Sequence, residues 1–289
     1  MKTFKVRFYQ AHTEENEKEV TAANVLLCLA SKQENGELLP QVGEGKQKHE
    51  IRELKATKNQ KFVRGVLALV RDDAPHIREE DGSERAIELK EEEGVLEKNY
   101  FLFYPETRLL VWQVNGSASH VSRLGRYLTE VSGVKIKFLD ILQKGAYERL
   151  QQGVVNAMQF RVARMQNADN IDENDWEAGA FELMSGVGGT AIKVEVSTPR
   201  INRGLDASAL KKIVKRLMGR NDIMTLKVNL DGEKEPIDLL ADRISDSIKV
   251  NMAGRYPIPE DVVNKLAEAR DRQRDALEDI LGVGDKILE

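Results

Sequence analysis

Phe4, Val6 and Phe8 alternate with Lys5, Arg7 and Tyr9 at the start of the chain, the period of two that a strand with one buried face requires. From residue 13 to 33, TEENEKEVTAANVLLCLASKQ, the apolar positions switch to helical spacing. This predicts a helix whose run ANVLLCLA, with Cys28 inside it, is buried. A β-rich stretch follows: HEIRELKA, KFVRGVLALVRDD, RAIELKEEEG, then NYFLFY and RLLVWQVN. Pro105, Glu106 and Thr107 join the last two, which predicts an antiparallel hairpin. Residues 117–133 read as a helix entered after Ser117 and stopped at Gly133, and VKIKFLDIL and VVNAMQFRVARM as two more strands.

The pattern breaks between Asn167 and Gly189. Asp169, Asp172, Glu173, Asp175, Glu177 and Glu182 are acidic, no Lys or Arg intervenes, and Gly186, Gly188 and Gly189 close the segment. After it, AIKVEVS, a basic helix, IMTLKVNLDG, DRISDSIKVNM and a helix from Pro259 to Leu281 give a β-α-β-β-α order. The expected architecture is therefore α+β, with mainly antiparallel sheets in two domains. Residues 1–166 form the first, 167–189 an acidic flexible connector, and 190–289 the second, which carries the basic helix.

A hydrophobic fraction of 41% over 289 residues is enough for buried cores, and one cysteine excludes a disulfide within the chain. No apolar stretch approaches the ~18 residues of a membrane span, and the N-terminus lacks a secretory pattern, so the expectation is a cytoplasmic protein with no membrane insertion. Catalytic and metal signatures are poor. His12, His49, His76 and His120 lie too far apart in sequence to share a metal from one helix. DNIDENDWE has Asp175 where a calcium loop needs glycine and Phe181 where it needs a bidentate glutamate, leaving a solvated acidic loop or a weak divalent site. SGVGGT leads into a strand rather than a helix, so it builds no phosphate cradle. DILGVGDK is similar to the turn of a helix-hairpin-helix module but lacks the second helix, and reads as a helix C-cap. A magnesium-dependent nuclease would use Asp81, Glu88 and Lys90 on a strand, although acid-x-Lys triplets arise in so charged a chain about as often as composition dictates. No metal and no cofactor is expected.

The segment PRINRGLDASALKKIVKRLMGR changes the picture. It carries Arg200, Arg203, Lys211, Lys212, Lys215, Arg216 and Arg220 against Asp206 alone. Seven bases less one acid give +6, and a net charge of −4 leaves −10 for the rest. Asp206 is a good N-cap and Gly219 a good C′ residue, so the helix spans 207–218. Leu210, Ile213, Val214 and Leu217 fall on one arc and the four bases on the other. No acid stands at the i±4 positions that would pair the lysines, which is the form of a phosphate-backbone contact. Other occupants remain open for this face: an acidic protein partner or the protein's own acidic loop, or solvent alone. Arg123, Arg126, Arg270, Arg272 and Arg274 could extend the patch, the last three interleaved with Asp271 and Asp275.

The succession YFLFYPETRLLVWQVNGSASHVSRLGRYL, VKIKFLDIL, VVNAMQFRVARM, strand, basic helix, strands and long final helix resembles the layout of the RexA-like phage exclusion proteins over roughly residues 100–289. That resemblance implies a non-enzymatic, homodimeric DNA-binding protein of α+β domains acting in conflict between phages and bacteria. The acidic net charge departs from it and favours a confined DNA path. The reading that results is sequence-independent binding of double-stranded DNA by a symmetric dimer, with a protein partner of a defence system among its expected partners. The nuclease and a module docking an acidic protein stand as the rival classes.

Overall fold

The computed structural model describes residues 1–13, 21–43, 47–71, 75–90, 93–163, 184, 186–198, 204–218 and 223–281. The chain begins with β1 (Lys2–Thr13), α1 (Ala22–Glu34), β2 (Gln47–Ala56), β3 (Val63–Arg71) and the short strands β4 (Ile77–Arg78) and β5 (Glu84–Arg85). It continues through β6 (Val95–Tyr104), β7 (Leu109–Val114), α2 (Val121–Ser132) and β8 (Ile136–Asp140). Next come α3 (Lys144–Gln152), β9 (Val155–Ala163), β10 (Ala191–Ser197), α4 (Ala207–Met218), β11 (Ile223–Leu230) and β12 (Ile237–Asp238). The last elements are β13 (Ser245–Val250), β14 (Met252–Ala253), β15 (Tyr256–Pro257), α5 (Pro259–Arg272) and α6 (Arg274–Leu281). Mainly antiparallel sheets with separate helices make this an α+β protein, as the patterning predicts.

The chain forms two compact units, Met1–Leu139 with Ser245–Asp275, and Asp140–Ile244 with Ala276–Glu289. This division differs from the boundary expected near residue 166. Strand β13 pairs antiparallel with β1, setting Phe4 opposite Ile248 and Val6 opposite Asp246, so it returns to the first unit. Strand β9, expected in the first domain, lies between β10 and β11 in the second. Most of the expected 167–189 connector lies outside the described residues.

In the first unit, a seven-stranded sheet runs β13-β1-β7-β6-β3-β2, with β8 also paired to β1. The expected hairpin is β6–β7, in register from Phe101 opposite Trp112 to Tyr104 opposite Leu109. Helices α1 and α2 cover one face, where Leu26, Leu29, Leu124 and Tyr127 pack with Phe101, Phe103, Leu110 and Trp112. Helix α5 packs against β6, β7 and β13, and its Arg270 lies over the Tyr104 ring at 5.2 Å. Gly65 on β3 is required by close approach: a Cβ there would sit 2.6 Å from Phe101 Cζ. Helix α2 starts at Val121, later than expected, because Ser119 N–H donates to the buried Asn99 Oδ1 (2.8 Å) and holds the loop extended. Its end at Gly133 is as expected, with φ of 75°.

Two expectations are corrected here. Of the described residues of RAIELKEEEG only Arg85, the second residue of β5, lies in a strand, since the charged residues of this stretch offer no continuous apolar face to bury. Cys28 is exposed, not buried. Helix α1 buries Ala22, Val25, Leu26, Leu29 and Ala30, an arc of about 140°, and at 100° per residue Cys28 falls well outside it. A thiol reagent should therefore label the native protein with one equivalent at a rate close to that of the unfolded chain; protection until unfolding would contradict this placement.

His49 on β2 is buried. Burial, aided by the positive charges of Arg123 and Arg126 and opposed by Glu130, holds its imidazole at about 4, against an ordinary 6.5. The unfolded chain binds a proton there below pH 6.5 that the folded chain refuses until about pH 4. Stability therefore falls as pH drops through this window, by at most about 1.4 kcal/mol per pH unit. Urea midpoints measured from pH 7 to 4.5 should fall less steeply for His49→Gln than for the wild type, and equal slopes would refute the assignment.

Candidate nucleic-acid interface

The second unit is built on a four-stranded antiparallel sheet in the order β10-β9-β11-β12. Helix α4 lies on one face, with Leu210, Val214 and Leu217 packed among Met158, Phe160, Leu226 and Val228 and with Ile213 half-buried beside them. These are the apolar positions read from the sequence, and the observed bounds, Ala207–Met218, match the expected 207–218. The start is fixed by Asp206, whose carboxylate accepts from Ala209 N–H and Ser208 Oγ, both at 2.7 Å. Those two hydrogen bonds, then the nearby Lys212 charge, hold its pKa below the usual aspartate value. The sequence pattern did not suggest α3, whose short apolar signal is Ala146 and Leu150 at i, i+4, both turned to this core.

Taking Leu210 as zero, the buried positions span about 300° to 40°, while 211, 215, 212 and 216 fall at about 100°, 140°, 200° and 240°. Lys212 is exposed and Lys211 is half-buried. Lys215 and Arg216 hold helix positions on the same outer arc, but their side chains, and all of Arg200, Arg203 and Arg220, lie outside the described residues. No carboxylate of the described residues falls within ion-pair distance of Lys212. A rigid core-facing arc thus presents a convex, positively charged outer arc. That geometry suits polyanion contact.

The other arginines behave differently. Arg270 and Arg274 pair with Asp271 at 3.0 and 2.9 Å, and Arg272 with Asp246 at 3.0 Å. Arg126 pairs with Glu130 at 2.6 Å along α2. These charges are spent locally. Glu88 and Lys90 sit in exposed irregular backbone rather than on the strand that the nuclease reading requires. Asp81 accepts from Ser83 N–H at 2.9 Å and Ser83 Oγ at 2.6 Å, contacts that lower its pKa and close a turn.

One feature of this unit escaped the sequence reading. On the sheet face opposite α4, Arg161 on β9 and Lys193 on β10 are exposed and directly opposite one another. Like charges so placed repel. The alternation in FRVAR and IKVEV carried the signal, but only the register joins the two residues.

Fold and site together define an α+β protein with a basic helix mounted on an antiparallel sheet. The chain belongs to a family described as "Family of unknown function (DUF6731)", whose model matches residues 1–274. Its sequence matches no curated protein. Among the described residues, no helix is long and apolar enough to cross a membrane.

Because Asp206 caps the helix that presents the basic arc, Asp206→Ala should speed amide hydrogen exchange at Ala209 and Leu210 while leaving the β9–β11 amides protected. In the wild type the same exchange should rise as pH falls through the depressed pKa of this carboxyl, with the solvent rate corrected for pH. Equal protection in the two proteins would remove Asp206 from that role.

Proposed function

We propose that this protein binds double-stranded DNA without sequence preference through the outer face of α4, as a non-enzymatic symmetric dimer. The observation that carries the reading is the separation on α4: the apolar arc is fixed in the core, and the opposite arc holds Lys211, Lys212, Lys215 and Arg216 in a chain of net charge −4. Arg200, Arg203 and Arg220 flank it in sequence and add reach toward phosphates. The resemblance to RexA-like exclusion proteins supports a role in conflict between phages and bacteria, in the cytoplasm. Phosphate contact gives a use to a row of bases on a convex helix face in an acidic chain, whereas a protein-docking face would need shape as well as charge.

The test is an equilibrium titration of labelled duplex with the full chain at several salt concentrations, with and without Mg²⁺. Five phosphate contacts per protomer predict a slope of log K against log salt near −4.5, about a 500-fold loss between 50 and 200 mM salt, and up to twice that slope for a dimer using both faces. Reversing Lys211, Lys212, Lys215 and Arg216 to glutamate should abolish binding to every duplex equally while circular dichroism stays native. Unchanged affinity would place the contact elsewhere, and cleavage with Mg²⁺ would favour the nuclease.

A further inference from the structure

We propose that β10 is the dimer interface, pairing antiparallel with β10 of a second copy about a two-fold axis at Val194. This deepens the dimer in the reading above, but it rests on the sheet edge and not on DNA binding.

Strand β10 is an edge of its sheet, with β9 on one side and, among the described residues, no strand on the other. Thr198 N–H donates to Asn156 O at 2.9 Å, continuing the β10–β9 register. Backbone groups alternate along an antiparallel strand, so Val196, Val194 and Ile192 also direct their N–H and C=O to β9. Those of Ala191, Lys193, Glu195 and Ser197 point out from the free edge. Such an edge is a template for another strand.

The sequence of this edge is complementary to itself in one register. Centring AIKVEVS on Val194 sets Lys193 opposite the second copy's Glu195, Glu195 opposite its Lys193, Ile192 opposite its Val196, and Ala191 opposite its Ser197. The residues with outward backbone groups then face one another, so every one of those groups finds a partner. A register shifted by one residue would pair outward-directed groups with inward-directed ones and lose the ladder.

Two side-chain observations point to the same register. Arg161 and Lys193 repel across the β9–β10 pair, and Glu195 of a second copy would extend that row with the carboxylate it lacks. Val196, 43% exposed, would be covered by Ile192 of the other copy. A two-fold axis normal to the sheet also puts both α4 helices on one face. Since α4 packs on β11, they would lie five strand spacings apart, about 24 Å.

Charge exchange tests this without nucleic acid, by the mass of the full chain in sedimentation at 5 to 100 µM. The wild type should be dimeric. Lys193→Glu gives four acids across the two-fold and Glu195→Lys gives four lysines, so each should raise the dimer dissociation constant about tenfold or more. An equimolar mixture of these two variants should dimerise like the wild type, and so should the double exchange K193E/E195K. Lys193→Pro, at an N–H that β9 does not use, should be monomeric with native circular dichroism. A monomeric wild type, single variants that dimerise undiminished, or a mixture that stays monomeric would each overturn the proposal. DNA titrations of the same variants separate the two readings: a monomer that still binds duplex with a single-face salt slope leaves the α4 contact standing when the edge fails.

Discussion

A buried ion pair joins the two ends of residues 140–244, the long segment of the second unit. Arg243 Nε lies 3.4 Å from Asp140 Oδ1, with the two side chains 7% and 3% exposed. Around it the backbone zips shut: Leu142 bridges antiparallel to Arg243, Ile244 N–H donates to Ile141 O at 2.8 Å, and Gln143 N–H to Asp242 O at 2.8 Å. Removing one member of such a pair strands a charge in the interior, at a cost of about 3–5 kcal/mol. Because the segment's two ends meet here, residues 140–244 can close a sheet of their own. Strand β13 is thereby free to continue the first unit beside β1.

That arrangement explains what could be read from the sequence and what could not. Local signals were sufficient for α4, where a capping aspartate and two non-overlapping arcs specify both ends and the buried face. They were sufficient for the β6–β7 hairpin, whose strands are separated by one short turn. The unit boundaries depend on pairings across long sequence distances, β1 with β13 and Asp140 with Arg243, and nothing in local periodicity encodes them. The acidic segment is unusual in composition, yet the units divide at Asp140 and Ser245, where composition does not change. Cys28 shows a smaller failure of the same kind. An apolar run identifies a buried helix, and only the phase of that helix reveals which member of the run faces out.

The two charged faces of the second unit illustrate different limits. The bases of α4 cluster within six residues and are visible as composition. The edge of β10 is nearly neutral, with one lysine and one glutamate, and no charge count would single it out. Its meaning lies in parity: which backbone groups point out, and which side chain then meets which. Only the β9–β10 register supplies that.

Charge placement connects these features to an acidic chain. Arg126, Arg270 and Arg272 are matched at short range by Glu130, Asp271 and Asp246, so they contribute dipoles rather than net field at the distance of a ligand. A polyanion approaching the chain meets repulsion from its net negative charge, and at about 0.15 M salt the field of a local basic patch extends only ~8 Å. A confined basic helix on an acidic body would therefore bind a polyanion by contact rather than by long-range attraction. Affinity from one such helix is modest and salt-sensitive, so a second helix held at a fixed spacing on the same sheet face would raise it by making the second contact intramolecular. On the proposed function, a basic helix and a self-complementary edge in one unit would therefore act together.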